Sequence, residues 1–243
     1  TRLLNARKLT VRIGLVQWQM RPFANMEALF EQVEFFVDAV SNYQTDFVLF
    51  PEFFCAPLLA QWNDQPEAVA WRHLAGLTEA MQERFRSLAI SYNTNILTGG
   101  LPIVENGEIM TVGWLCHRDG RIERYERIHV TPGERKAWGM AGGNRLRAFD
   151  TDAGRIGVLI GYDVEFPELG RLLADERIEI LFVPFSTDTQ NGYLRVRACA
   201  QARAIENECY VALAGCVGNL PKIGNMDIQY AQSAILTPSD FAF

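Results

Sequence analysis

Three short stretches set a polar group, or the place for one, at the end of a strand-like run or in the loop just after it. They are FVLFPEFF with Glu52, YERIHVTPGE with Arg127 and Glu134, and LIGYDVEFPE with Gly161. Open α/β sheets build their sites on such loops. A carboxylate leaving a buried strand is a candidate acid or base, because burial and neighbouring charges can tune its proton affinity. GVLIGYDVEFPELGR, residues 157–171, reads as an apolar strand, a sharp turn and a helix that opens on Pro167. An elbow of this kind is where a reactive side chain is commonly presented. Its tip here is Gly161, which has no side chain to offer. On composition alone, Arg127 and Glu134 would read as a surface ion pair among charged neighbours such as Arg135 and Lys136, and Gly161 as a residue chosen for a tight turn.

Strand-like and helix-like segments alternate along all 243 residues, which favours a layered α/β architecture. LTVRIGLVQWQ alternates Val11, Ile13 and Leu15 and predicts one first strand. Asn25 then caps a helix whose Met26, Leu29, Phe30, Val33, Phe36, Val37 and Val40 form one apolar stripe. TDFVLFPE predicts a buried strand, LTEAMQERFRSLAISYN an amphipathic helix and NILTGGLPIV a further strand. ENGE reads as a hairpin turn into IMTVGWLCHR, and DGR as another before IERYERIHV. TPGERKAWGMAGGN reads as a loop rich in glycine and charge. The strand IEILFVPF, a long helix within YLRVRACAQARAIENE, and the strands YVALAGCVG and YAQSAIL follow. Asp163 and Glu168 are expected to orient the elbow and its helix through backbone N–H groups, and Arg203, Glu206 and Asn207 to form a structural polar network.

Composition narrows the partners. Against 23 basic residues stand 29 acidic ones, a net charge of −6, with no basic block able to follow a phosphate backbone. Nucleic acid is therefore not an expected partner. Every apolar run is too short to span a bilayer, so no membrane association and a cytoplasmic location are expected. Cys55, Cys116, Cys199, Cys209 and Cys216 are odd in number and widely spaced, which suits reduced thiols. With His73, His117 and His129 they make no ligand pattern, so neither a metal nor a cofactor is expected.

FPEFF, YERIHVTPGE and GYDVEFPELGR resemble the three motifs of the nitrilase, or carbon-nitrogen hydrolase, superfamily, and RAIEN a further stretch common in it. The resemblance covers nearly the whole chain. It implies a single domain over residues 1–243 with a four-layer αββα sandwich, in which two mixed sheets are covered by helices. It also implies hydrolysis of a small amide or nitrile through a thioester, by a Glu-Lys-Cys triad, and assembly into a homodimer or larger homo-oligomer. Splitting the cleavage of an unreactive amide into two steps requires a thiolate, a carboxylate that shuttles protons, and a fixed cation for the oxyanion. Carried onto this sequence, the base falls on Glu52 and an accessory glutamate on Glu134. The lysine position holds Arg127 and the cysteine position Gly161, so the site is expected to be inactive or strongly impaired. The alternative is a pseudoenzyme that binds a small amide or carboxylate metabolite, or that serves as an assembly scaffold. Tyr162, Trp138 and Phe185 are the expected substrate contacts, with Met140 near Trp138 at the mouth of the pocket. Cys55, three residues past Glu52, is the alternative thiol, although FFCAPLL contains no elbow to activate it. Members of the family generally continue past the segment that here reads TPSDFAF, so a missing C-terminal tail is also expected.

Overall fold

A computed structural model describes residues 10–221, 223 and 226–238. In chain order its elements are β1 (Ile13–Leu15), β2 (Trp18–Met20), α1 (Met26–Ser41), β3 (Phe47–Leu49), α2 (Glu67–Ala75), α3 (Thr78–Ser91) and β4 (Asn95–Leu97). Then come β5 (Leu101–Glu105), β6 (Glu108–Cys116), β7 (Ile122–Glu126), α4 (Pro132–Trp138), β8 (Met140–Ala141), β9 (Phe149–Thr151) and β10 (Gly154–Val158). The last are α5 (Pro167–Asp175), β11 (Ile180–Phe185), α6 (Gln190–Glu206), β12 (Tyr210–Gly218) and β13 (Ala234–Leu236). The turn suggested by TPSD runs beyond the described residues from 239 on.

Two mixed sheets result. One is ordered β1-β3-β4-β6-β5, with β7 and β8 also paired to β6; the other is ordered β13-β12-β11-β10-β9, with β2 paired to β12. Strand alternation sorts the apolar residues into layers. Phe47 and Leu49 of β3 point inward and meet Phe182 and Ile180 of β11 in a core between the sheets, where the rings of Phe47 and Phe182 lie 5.2 Å apart. Val48 faces outward toward Leu29, Phe30 and Val33 of α1 and Phe85 of α3. Leu181 and Val183 face the opposite way, toward Leu169 and Leu173 of α5 and Val196 and Ala200 of α6. Helix, sheet, sheet and helix therefore stack as the four-layer sandwich that the motif resemblance implied.

Asn25 caps α1 as expected, accepting from the Ala28 N–H at 2.9 Å, and the apolar stripe buries Leu29, Phe30, Val33 and Val37. Asn106 and Gly107 both take positive φ at the tip of the β5–β6 hairpin, the conformation that a two-residue turn requires. Four readings differ. NILTGGLPIV, read as one strand, is divided into β4 and β5, with Gly99 at φ +74 between them. The single first strand is broken after Leu15: β1 pairs with β3 and β2 with β12, so the segment crosses from one sheet to the other. Helix α2 was not read from the sequence. The stretch from Thr131 read as a loop contains α4, whose start is closed by Thr131 and Glu134 in reciprocal hydrogen bonds.

Candidate functional site

Glu52 leaves β3 on a turn that also lifts Phe53 to φ +57, a conformation costly for a bulky side chain. The Phe53 N–H donates to the Gly100 carbonyl at 2.9 Å, and Glu52 bridges to Gly100, so the next strand edge anchors the turn. Arg127 follows β7, its N–H donating to the Thr111 carbonyl at 3.0 Å. Glu134 stands in the first turn of α4, where its carboxylate accepts from the Thr131 N–H at 2.9 Å and the Thr131 hydroxyl at 2.6 Å. Gly161 follows β10 at φ +49 and opens a single 3-10 turn, Gly161–Glu165, ahead of α5.

These elements bring Glu52, Arg127, Glu134 and Gly161 together. Arg127 Nη1 donates to Glu52 Oε1 at 2.8 Å and to Glu134 Oε1 at 2.7 Å, while Nη2 donates to Glu134 Oε2 at 2.7 Å and Nε to the His129 carbonyl at 2.9 Å. The pair is enclosed: the Arg127 and Glu52 side chains are 2% and 3% exposed. Two carboxylates face one guanidinium, so full ionisation would leave an uncompensated negative charge in the interior. Burial accordingly pushes the Glu52 carboxyl up to about 8 against the pull of Arg127, with Glu134 and Asp163 adding to the rise. Burial raises Glu134 too, but its bonds to Arg127 and Thr131 prevail and hold it below the usual carboxylate range. For Arg127 burial opposes the charge, yet Glu52 and Glu134 hold its proton more firmly than usual. The balance concentrates charge on the Arg127–Glu134 pair and shifts Glu52 toward its protonated form.

Asp163 does not cap its own turn. It reaches the loop that carries Arg127, accepting from the Ile128 N–H at 2.8 Å, the His129 N–H at 2.7 Å and His129 Nδ1 at 2.9 Å. The His129 ring in turn stacks 3.6 Å over Phe166. The elbow and the cation loop are thus held as one unit, a contact across 35 positions that spacing alone did not reveal. Glu168 pairs with exposed Arg171, and buried Arg203 donates to the Val164 carbonyl and to Glu206. The role of Thr131 was missed, although the T-x-x-E spacing of a capping box stands in TPGE.

The expected ligand contacts are placed unevenly. Tyr162 is half-buried, edge-on to Phe166 at 5.0 Å. Trp138 and Met140 are buried rather than at a mouth, and the Trp138 ring packs 5.8 Å from Phe53 and 4.7 Å from Trp71. Phe185 is wholly enclosed, and its described contacts are with Tyr193 and Gly215. Cavities of about 290 and 320 Å³ lie beside α2 and along β5, and neither is lined by Glu52, Arg127, Glu134 or Gly161. Cys55 is fully buried, and burial pushes its thiol up to about 12, the reverse of activation. Buried Cys216 donates its S–H to the Glu52 carbonyl at 3.4 Å and is likewise raised by burial. Among the described residues no cluster of His, Cys, Asp and Glu is grouped to hold a metal, and no helix is long and apolar enough to cross a membrane.

Fold and site together define an αββα protein with an acid, a cation and an elbow converging between two sheets. The chain belongs to the carbon-nitrogen hydrolase family, whose pattern it matches over residues 12–239, in line with the motif resemblance. It is 46% identical over 233 residues to the probable hydrolase YhcX of Bacillus subtilis, covering 96% of this chain and 45% of that protein, so it spans less than half of that relative's length. It is 28% identical over 214 residues to a deaminated glutathione amidase of Synechocystis, covering 82% of this chain and 76% of that protein. Its fold matches a mutant of the amidase from Nesterenkonia sp. AN1 that shows the result of Michael addition of acrylamide at the active site cysteine. That match has a TM-score of 0.76 and 21% identity, covering 94% of this chain and 86% of the other.

Proposed function

We propose that this chain is an amidase-type carbon-nitrogen hydrolase scaffold in which Glu52 stands as the acid-base group, Arg127 as the cation and Glu134 as its counter-charge, with the nucleophile missing at Gly161. The carrying observation is the convergence of Glu52 and Arg127 at 2.8 Å beside the tip of the elbow. A thioester route needs a thiol there. The two thiols near Glu52, Cys55 and Cys216, are enclosed and held protonated by burial, so neither replaces it. The substrate class, small amides, is supported by family membership and by the amidase named among the relatives.

The test is ammonia release from a panel of short-chain amides by the natural chain and by Gly161→Cys combined with Arg127→Lys. Background release from the first and turnover by the second are expected; a double variant that folds and stays silent on the whole panel overturns the reading. A homodimer and a cytoplasmic location belong to the same proposal.

A further inference from the structure

The guanidinium of Arg127 is fixed on several sides. Its fork grips both oxygens of Glu134, its Nε holds the His129 carbonyl, and the second Nη1 hydrogen goes to Glu52 Oε1 at 2.8 Å. Turning the planar head toward Glu52 would break the two-point grip on Glu134, so the Glu52 carboxylate must come to the arginine. Its stem has little room to withdraw: a Cβ on Gly100 would fall 2.9 Å from Glu52 Cγ, so that strand lies close against it. With Oε1 pinned on Arg127, the carboxylate lies over the elbow tip. A Cβ on Gly161 would press on Glu52 Oε2 well inside van der Waals contact, 3.1 Å from Cδ and 3.3 Å from Oε1.

We infer that Arg127 and Gly161 are a single coupled change: Arg127 acts as a positioning residue that draws the Glu52 carboxylate into the space a side chain at 161 would fill, and glycine is the residue that admits it. A lysine, a point charge on a flexible stem, could serve both carboxylates without fixing Glu52 over the elbow. The inference rests on the reading of these residues as the amidase-type site, but it is read through unfolding alone, so the ammonia assay and this test can fail separately.

Gly161→Ala supplies the Cβ without a reactive group and is made in three backgrounds: the natural chain, Arg127→Lys and Glu52→Ala. The last leaves the Arg127–Glu134 pair intact. Alanine at positive φ is strained in all three, so that cost cancels on comparison and only the contact with Glu52 depends on background. The melting temperature is expected to fall by about 4 °C or more beyond the fall seen in either of the other backgrounds, the size of an overpacked contact in a chain of this length. If Gly161→Ala in the natural chain fails to fold, recovery of cooperative unfolding on adding Arg127→Lys or Glu52→Ala reports the same coupling. Equal losses in the three backgrounds, or failure of all three alanine variants to fold, would overturn it.

Discussion

Glu52 carries the least ordinary chemistry in the molecule: a carboxyl held protonated to about pH 8 while touching a guanidinium. The cause is first of all burial, which disfavours the charged form, and then the neighbouring carboxylates: Glu134 already neutralises Arg127, so a second buried anion would stand alone. The consequence for stability has a definite sign. Folded Glu52 keeps its proton to about 8, whereas the unfolded chain releases it near the ordinary value of 4.5, so the folded state binds more protons across that window. Its contribution is complete below the lower value and is lost as pH rises through the upper one. Glu52→Gln keeps an acceptor for Arg127 but cannot ionise. Its melting temperature relative to the natural chain is expected to climb as pH is raised from about 5 to about 9, and parallel curves would contradict this charge state. The sequence made the positions of Glu52, Arg127 and Gly161 legible because each lies in a motif at a strand end. It did not show that Arg127 would grip two carboxylates, nor that Asp163 would bind the cation loop, since both depend on where separate loops meet.

At the scale of elements, α4 does more than its seven residues suggest. Glu134 sits at its third position, so the bonds that cap the helix also aim the carboxylate at Arg127. Thr131→Ala removes the hydroxyl that both accepts from the Glu134 N–H and donates to its carboxylate. A loss of about 1 kcal/mol, or about 2–4 °C in melting temperature, is expected, largely recovered by Thr131→Ser. An unchanged melting curve would mean that Arg127 and the Thr131 backbone N–H hold Glu134 without the hydroxyl. Reading this stretch as a loop gave its glycines and charges more weight than the T-x-x-E spacing. Helix α2 escaped for a related reason: its nine residues carry too short an apolar pattern to stand out. The split of the first segment into β1 and β2 left a trace that was overlooked: the apolar alternation slips phase from Val11, Ile13 and Leu15 to Val16, Trp18 and Met20, although only the pairing partners show the change of sheet.

For the whole molecule, alternating strands and striped helices were enough to expect a layered α/β architecture, because each apolar face needs a partner; the count of four layers came from the motif resemblance. The homodimer proposed with this function has candidate surface in Leu172 on α5 and Leu194 and Ile205 on α6, all exposed. Light scattering of the purified chain at micromolar concentration is expected to give twice the monomer mass, and a monomer would remove the dimer from the proposal.

The core between the sheets bears on the site in another way. Glu52 and Arg127 leave strands of one sheet and Gly161 leaves a strand of the other, so their meeting point straddles the join. The gap across which acid and elbow face one another is therefore set by the girth of side chains such as Phe47 and Phe182, deep in the sandwich. Thinning that filling would shift Glu52 and Arg127 relative to the Gly161 backbone without altering any of the three, which makes interior bulk a remote dial on the shape of the join.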